Sequence, residues 1–342
     1  MTNDVKGINH SNVTEWLVDH SPDAAPPFTF ELIAGGHSNI TFKVTDAKGQ
    51  HLVLRRPPLF QVLATAHDME REFKIINALQ GSDVPVPFVV GLCTDEAIND
   101  RPFYVMEYVE GTIIRDDEIA RAWPTERRRP TTESLIDGLA KLHAVDVDAV
   151  GLGDLGRKEA YIERQLKRWL RQFEESKIDE RPIFNEVHAH LAKNIPPQQG
   201  VGIVHGDYRL DNCMIADDGT VAAVLDWELC TLGDVLADVS QLLTYWTEPG
   251  DDRTALDNAP TSVGGFPTRA EVLDMYEQAS GRSMANIDFY LSFSSWRLAS
   301  ILEGVNSRYI NGAMGDKEHD GEVFLDRING LLATASEHAE LI

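Results

Sequence analysis

Three oxygen-bearing side chains within residues 203–228 have a spacing that could do chemistry: Asp207, Asn212 five residues later, and Asp226 fourteen after that. The near-apolar run from Val201 to Val204 reads as a strand leading into His205-Gly206-Asp207. Asp217-Asp218-Gly219 is a hairpin signal, with Gly where a positive φ is needed. Folding about Asp218 pairs residue numbers that sum to about 436. That register sets Asn212 opposite Val224, with Asp226 just past the open end and Asp207 beside them. Asp and Asn oxygens suit a hard cation such as Mg²⁺, which keeps its waters and takes a few protein oxygens plus phosphate. Asn212 and Asp226 are therefore the candidate metal ligands, and Asp207 is left to accept a proton, an arrangement suited to moving a phosphoryl group. Asp, Asn and Gly populate turns in any case, but turn chemistry alone does not call for His-Gly-Asp-x₄-Asn and a further acid after one hairpin.

The elements that must position these groups fall into two kinds. A helix is expected over 11–20, capped by Ser11 or Asn12, with Trp16 and Leu17 inward. Strands are expected over 28–33, 40–44 and 51–55, the first two separated by Gly35-Gly36-His37-Ser38-Asn39. A glycine-rich loop between strands lets backbone N–H groups approach phosphates, because glycine has no Cβ in the way. Arg55 ends its strand, and a helix over 66–80 with the stripe Met69, Phe73, Ile76, Leu79 carries Glu70 and Glu72. A carboxylate on that helix would orient the arginine toward a phosphate. Further strands are expected at 88–92 and 103–109, after which the chain turns helical.

The helical part is expected to hold helices over 132–144, 158–175, 181–193, 234–246, 269–280, 287–311 and 318–337. His143 reads as a structural residue favoured by the dipole at a helix C-terminus. Asp234 reads as a helix cap, with Asp238 bracing the central loop, and 247–266 reads as a mobile loop. The Phe289, Phe293, Trp296, Ile301 series reads as core, whereas sequence leaves Arg297 and Arg308 unplaced. The expected division is a sheet domain over 1–107 and a helical domain over 108–342, with a ligand cleft between them.

Bulk properties narrow the function classes. The chain has 342 residues and a net charge of −24, so nucleic acid is an unsuitable partner. Residues 115–171 depart from that background, with 12 Lys/Arg against 11 Asp/Glu. This segment is read either as a local basic patch or as solvated helix faces. No apolar run is long enough for a membrane span, and the start lacks a basic region followed by an apolar one. Cys93, Cys213 and Cys230 read as reduced, buried residues of a cytoplasmic protein. A small molecule bearing a hydroxyl is the expected partner, with no membrane or nucleic acid; a homodimer is compatible with the sequence.

Together these pieces resemble the aminoglycoside phosphotransferase and choline kinase-like small-molecule kinases. His205 to Asn212 resembles the catalytic loop of that family, Asp226-Trp227-Glu228 its metal-binding acid, Gly35 to Asn39 its nucleotide loop, and Arg55 its phosphate-binding strand residue. Met69-Glu70-Arg71-Glu72-Phe73 resembles the paired helix, which selects Glu72 as the partner. Met106-Glu107-Tyr108-Val109 resembles the hinge that binds adenine through its backbone, and His205 a structural residue of the loop. The resemblance spans about 28–311 and implies an α+β, protein-kinase-like two-lobe fold, with ATP and Mg²⁺ as cofactors. Position 55 carries Arg where the family usually has Lys, and the two are not interchangeable.

The helix Tyr161-Ile-Glu-Arg-Gln-Leu-Lys-Arg-Trp169 and the Arg-Arg-Pro-Pro run at 55–58 are similar to the branch fused to certain acyl-CoA dehydrogenases. That resemblance implies a hydroxyacyl-CoA or hydroxy acid as acceptor. The alternatives are an aminoglycoside O-phosphotransferase, which an acidic protein could serve, and a nucleotide-binding pseudokinase acting as a partner module.

Overall fold

A computed structural model of the chain describes residues 5–34, 39–59, 68–311 and 321–342. The fold is α+β and falls into two compact units, Met1–Gly111 with Ala222–Glu228, and Thr112–Val221 with Leu229–Ile342.

The first unit contains α1 (His10–His20), β1 (Thr29–Ala34), β2 (Ile40–Thr45), β3 (His51–Arg56), α2 (Met69–Leu79), β4 (Val89–Cys93) and β5 (Phe103–Glu107). The strands form one antiparallel sheet in the order β1-β2-β3-β5-β4. Successive side chains point to opposite faces, so this small sheet has two distinct surfaces. On one, Phe42, Val44, Leu54, Phe103 and Val105 pack with Val13, Trp16 and Leu17 of α1. On the other, Thr41, Arg55 and Tyr104 stand in one cross-strand row. The adjacent Arg56 points the other way, fully buried, and donates to Asp100 at 2.8 Å. The cap of α1 is Asn9, whose side chain accepts from the Asn12 amide, rather than Ser11 or Asn12. An Asx side chain one position before the helix reaches that otherwise unpaired amide.

The second unit is mainly helical. It contains α3 (Asp117–Ala122), α4 (Thr125–Ala144), α5 (Tyr161–Ser176), α6 (Pro182–Lys193), β6 (Gly202–Val204) and β7 (Cys213–Ile215). After β8 (Val221–Val224) come β9 (Thr231–Gly233), α7 (Leu236–Tyr245), α8 (Arg269–Ser280), α9 (Ile287–Ile310) and α10 (Gly321–Ala339). The turn between β7 and β8 closes with the Ala216 amide donating to the Thr220 carbonyl, the register expected about Asp218.

Several boundaries differ from expectation for identifiable reasons. Helix α4 begins seven residues early and keeps Pro130 inside it. The proline forfeits one ladder bond, but the buried Arg128 anchors this turn by donating to the Ala120 and Trp123 carbonyls at 2.9 and 3.1 Å. Helix α3 was not expected; Asp116 caps it through the Ile119 amide. Residues 247–266 are tied down rather than loose. The Thr247 amide donates to the Thr261 hydroxyl, the Trp246 indole to the Pro267 carbonyl, and Arg253 pairs with Glu337. The aromatic stripe of α9 is core, with Phe289, Phe293 and Trp296 buried. Cys93, Cys213 and Cys230 are buried and form no disulfide. Among the described residues, no helix is long and apolar enough to cross a membrane.

Candidate active site

In the second unit, β6 pairs with β9 through Gly202–Gly233, Ile203–Leu232 and Val204–Thr231. The chain then turns at Gly206 with φ +85°, where an added Cβ would lie 2.9 Å from the Leu229 carbonyl oxygen. Only glycine meets both conditions. The turn is held by Asp238 of α7: the His205 amide donates to one of its oxygens at 2.6 Å and the Gly206 amide to the other at 2.8 Å. The same carboxylate lies 3.3 Å from Nε2 of His143, whose Nδ1 lies 2.6 Å from the Tyr276 hydroxyl. A neutral His143 protonated at Nε2 satisfies both neighbours. Burial pushes the Asp238 carboxyl up, but the bonds from His143 and Gly206 outweigh it and leave the group below the usual 3.8. Burial also holds His143 below its usual 6.5. His143 is thus the structural residue expected from the sequence, acting as a neutral link to the loop through Asp238 and Tyr276 rather than through the helix dipole.

Asp234 accepts from the Leu236 amide at 3.2 Å and from the Tyr290 hydroxyl at 2.7 Å. The cap position of α7 is Val235, which makes no side-chain cap bond, so Asp234 is not the helix cap expected from the sequence; from one residue further out it holds the Leu236 amide and ties this turn to α9. The His205 ring is buried, stands edge-on to Tyr208, and has its Nδ1 3.3 Å from the Asp207 amide.

These contacts present Asp207. Asn212 closes the short 3₁₀ turn Leu210–Asn212. Its Nδ2 donates to both the carbonyl and the carboxylate of Asp207, each at 2.8 Å. Gln241 Nε2 donates to the other carboxylate oxygen at 3.3 Å, and Arg209 Nε lies 3.2 Å from that same oxygen. Arg209 is itself oriented by Asp211 at 2.8 Å and by the Tyr245 ring at 4.8 Å. Arg297 of α9 donates to the Gly206 carbonyl at 3.2 Å. Sequence reasoning missed Gln241 and Arg209 and left Arg297 unplaced. A signal for Gln241 existed: Asp234, Asp238 and Gln241 recur at the four- and three-residue steps of one helix face.

In the first unit, Arg55 sits between two acids. Its Nε lies 3.1 Å from Glu72 Oε2, and its Nη2 donates to Asp226 Oδ1 at 2.8 Å. Glu72 also accepts from the Tyr104 hydroxyl at 3.0 Å and from Asn39 Nδ2 at 2.5 Å. Burial drives the Glu72 carboxyl above its usual 4.5, against the pull of Arg55 and Tyr104. Burial disfavours charge on Arg55 as well, yet Tyr104, Glu72 and Asp226 hold it firmly protonated. Asp226 adopts φ +63°, a left-handed conformation uncommon outside glycine. Glu70 is exposed. At the end of β5, Glu107 accepts from the Phe88 amide at 3.2 Å. Tyr108 lies 4.6 Å below the Lys43 ammonium, and Val109 is half-buried. Gly35, Gly36, His37 and Ser38 lie outside the described residues.

Asn212 of the second unit and Asp226 of the first each carry an oxygen of the kind a hard cation takes. Asn212 uses its amide nitrogen on Asp207, and its carbonyl oxygen accepts no bond among the described residues. Asp226 gives one oxygen to Arg55, and its other is likewise unengaged among the described residues. These are oxygen ligands of the kind Mg²⁺ takes alongside water and phosphate. Among the described residues, no group of three His, Cys, Asp or Glu side chains is placed to hold a metal by itself.

A profile described as "Phosphotransferase enzyme family" matches residues 29–290. The chain belongs to this phosphotransferase family. A solved structure of a putative aminoglycoside phosphotransferase from Ralstonia eutropha is 33% identical, with a TM-score of 0.82 over 96% of this chain and 98% of that one. The probable acyl-CoA dehydrogenase IBR3 of Arabidopsis thaliana is 37% identical over 84% of this chain and 37% of its own length. Acyl-CoA dehydrogenase family member 10 of Mus musculus is 38% identical over 81% of this chain and 26% of its own length. The chain thus spans only about a quarter to two-fifths of these curated relatives. A hygromycin B- and AMP-PNP-bound aminoglycoside phosphotransferase, 14% identical with a TM-score of 0.62, shares the protein-kinase-like fold.

Proposed function

We propose that this phosphotransferase moves the γ-phosphate of ATP to a hydroxyl of a small molecule, in the presence of Mg²⁺, and that the acceptor is a hydroxyacyl-CoA or hydroxy acid. The observation that carries the reading is Asp207: it is anchored by Asn212, Gln241 and Arg209, yet its side chain remains 23% exposed. A fixed, accessible carboxylate is equipped to take the proton from an attacking hydroxyl. The acceptor oxygen bonds to the γ-phosphorus, its proton passes to Asp207, and ADP departs with the electrons of the broken P–O bond. Arg55, oriented by Glu72, neutralises charge on the nucleotide phosphates, while Tyr108 and Val109 offer backbone groups to the adenine. Asn212 and Asp226 would hold Mg²⁺ through their unengaged oxygens; when bound, the ion supplies charge neutralisation at the phosphates. The acyl acceptor is supported by the names of the full-length relatives, acyl-CoA dehydrogenases.

The test is Asp207→Asn. Turnover with a panel of hydroxyacyl-CoAs, hydroxy acids and aminoglycosides should fall by about 10²–10⁴-fold, while calorimetric Mg·ATP affinity stays within about threefold. Undiminished phosphorylation in this variant would remove Asp207 from the proposed role. Wild-type transfer to aminoglycosides alone would replace the acyl acceptor.

A further inference from the structure

The basic segment 115–171 resolves into two populations. Arg121, Arg129, Lys141, Lys158 and Arg171 each pair with a carboxylate. They belong to ordinary solvated helix faces, where such pairs contribute little. Arg168 is one of several cations of the segment that pair with no carboxylate among the described residues; what sets it apart is its place 5.2 Å over the Trp169 ring, which it shares with Arg297. Arg297 lies 5.6 Å over the same ring and also lacks a carboxylate partner among the described residues. Arg297 is only 7% exposed. A buried cation ordinarily has an anion beside it, because removing the charge from water is costly. The ring face and the Gly206 carbonyl supply only partial compensation.

Beside Arg297 lies a small cavity of about 10 Å³ lined by Gln241, Thr244, Tyr245, Ser294, Leu298 and Ile301. It is the size of a single water or one small oxygen-bearing group. Gln241 faces two tasks there. Its Nε2 holds Asp207, whereas its Oε1 is buried without a hydrogen-bond partner. An unpaired cation and an unpaired acceptor thus lie on residues that directly contact the Gly206-Asp207 loop.

We infer that Arg297, assisted by Arg168 across Trp169, is the specificity determinant for an oxyanion carried by the phosphoryl acceptor within a few bonds of its reacting hydroxyl. Gln241 accepts a hydrogen bond from a second donor of the same acceptor and so ties its position to that of Asp207. This rests on the proposed kinase reading; of the two acceptors proposed there it selects the free hydroxy acid over the neutral thioester of a hydroxyacyl-CoA, it admits phosphorylated alcohols, and it disfavours polycationic acceptors. Arg suits the task through its planar fork, which pairs two donors with a carboxylate or phosphate.

The experiment measures binding without nucleotide, so it stands apart from turnover. Titration calorimetry compares 4-hydroxydecanoate, its neutral amide, and the phosphate monoester of 1,4-butanediol, on wild type, Arg297→Met, Arg297→Lys and Arg168→Ala. Wild type should bind the carboxylate or the phosphate at least about tenfold tighter than the amide, the equivalent of ~1.4 kcal/mol. Preference for the first marks a hydroxy acid, and for the second a phosphorylated alcohol. Arg297→Met should abolish the preference and Arg297→Lys recover part of it. Arg168→Ala, at an exposed site that leaves the loop contacts intact, should reduce it by about threefold. Equal affinity for charged and neutral probes in wild type overturns the inference, as does a preference that survives in both Arg297→Met and Arg168→Ala. If binding discriminates but no acceptor is phosphorylated, the anion site stands and the kinase reading falls.

Discussion

Asp238 and Glu72 are both buried carboxylates beneath a candidate catalytic element, but they keep their charge by different means. Asp238 faces two backbone amides whose positions are fixed by the turn at Gly206, together with His143. Glu72 faces three side chains, Arg55, Tyr104 and Asn39. One carboxyl titrates below its ordinary value and the other above it. After burial, the bond from His143 is the largest influence on Asp238 and the Gly206 amide adds to it; backbone donors cannot rotate away, so they hold this carboxylate in one place, whereas Glu72 depends wholly on the order of side chains. The first arrangement suits a loop that must keep one shape. The second suits a cation that must meet a ligand.

The largest test of this contrast is stability. Asp238→Ala strands two backbone N–H groups and the His143 donor, and should cost about 3–5 kcal/mol in urea unfolding. Glu72→Gln keeps one acceptor oxygen, which serves either Asn39 at the Oε1 position or Tyr104 at the Oε2 position, and loses the other acceptor and the charge opposite Arg55, at about 1–2 kcal/mol. Comparable costs for the two would break the comparison.

Removing the cation probes the other side of the pair. Arg55→Met leaves Glu72 buried without its counter-charge, and the carboxyl responds by taking up a proton, which limits the stability loss to about 1–3 kcal/mol. The proposed nucleotide role predicts that Mg·ATP affinity falls by about tenfold or more, read by calorimetry. Arg55→Lys restores the charge but cannot fork to Glu72 and Asp226 at once, so it should recover only part of that affinity.

Acid titration separates the two carboxyls by sign. Asp238 has a depressed folded value: its contribution is present above 3.8 and is lost as pH falls through the folded value. Glu72 has a raised folded value: its contribution is present below 4.5 and is lost as pH rises through the folded value. Accordingly, Glu72→Gln should flatten the pH dependence of unfolding free energy above pH 4.5, and Asp238→Asn below pH 3.8. The same slope change in both variants would show that the two sites are not distinguished by their donors.

Much of this contrast was legible in the chain, and its gaps have physical causes. The period of two along His51–Arg56 places Arg55 and Arg56 on opposite faces of the sheet. Glu72 stands three residues after Met69 and four before Ile76, in the buried row of α2, whereas the stripe drawn through Phe73 obscured it. Helix α4 starts at Thr125 rather than 132, because its first two turns, with Pro130 inside them, are anchored by Arg128 donating to carbonyls outside the helix, a contact that no local pattern shows. Strand β9 has three residues, too few to show a period, and exists through its pairing with β6. His143 could be placed at the end of its helix from sequence, but its neutral state depends on Asp238 and Tyr276, distant in the chain.

That last link yields the smallest expected effect. Tyr276 donates its hydroxyl to Nδ1 of His143, and His143 in turn donates to Asp238. Tyr276→Phe keeps the ring packing and removes one hydrogen bond, which should cost about 0.5–1.5 kcal/mol in urea unfolding. The loop itself should barely respond, because the His205 and Gly206 amides still reach Asp238 directly. Hydrogen exchange at those two amides should therefore slow or quicken only as far as global stability changes. Selective exposure of the two amides in Tyr276→Phe would mean that the side-chain link, and not the carboxylate alone, fixes the turn.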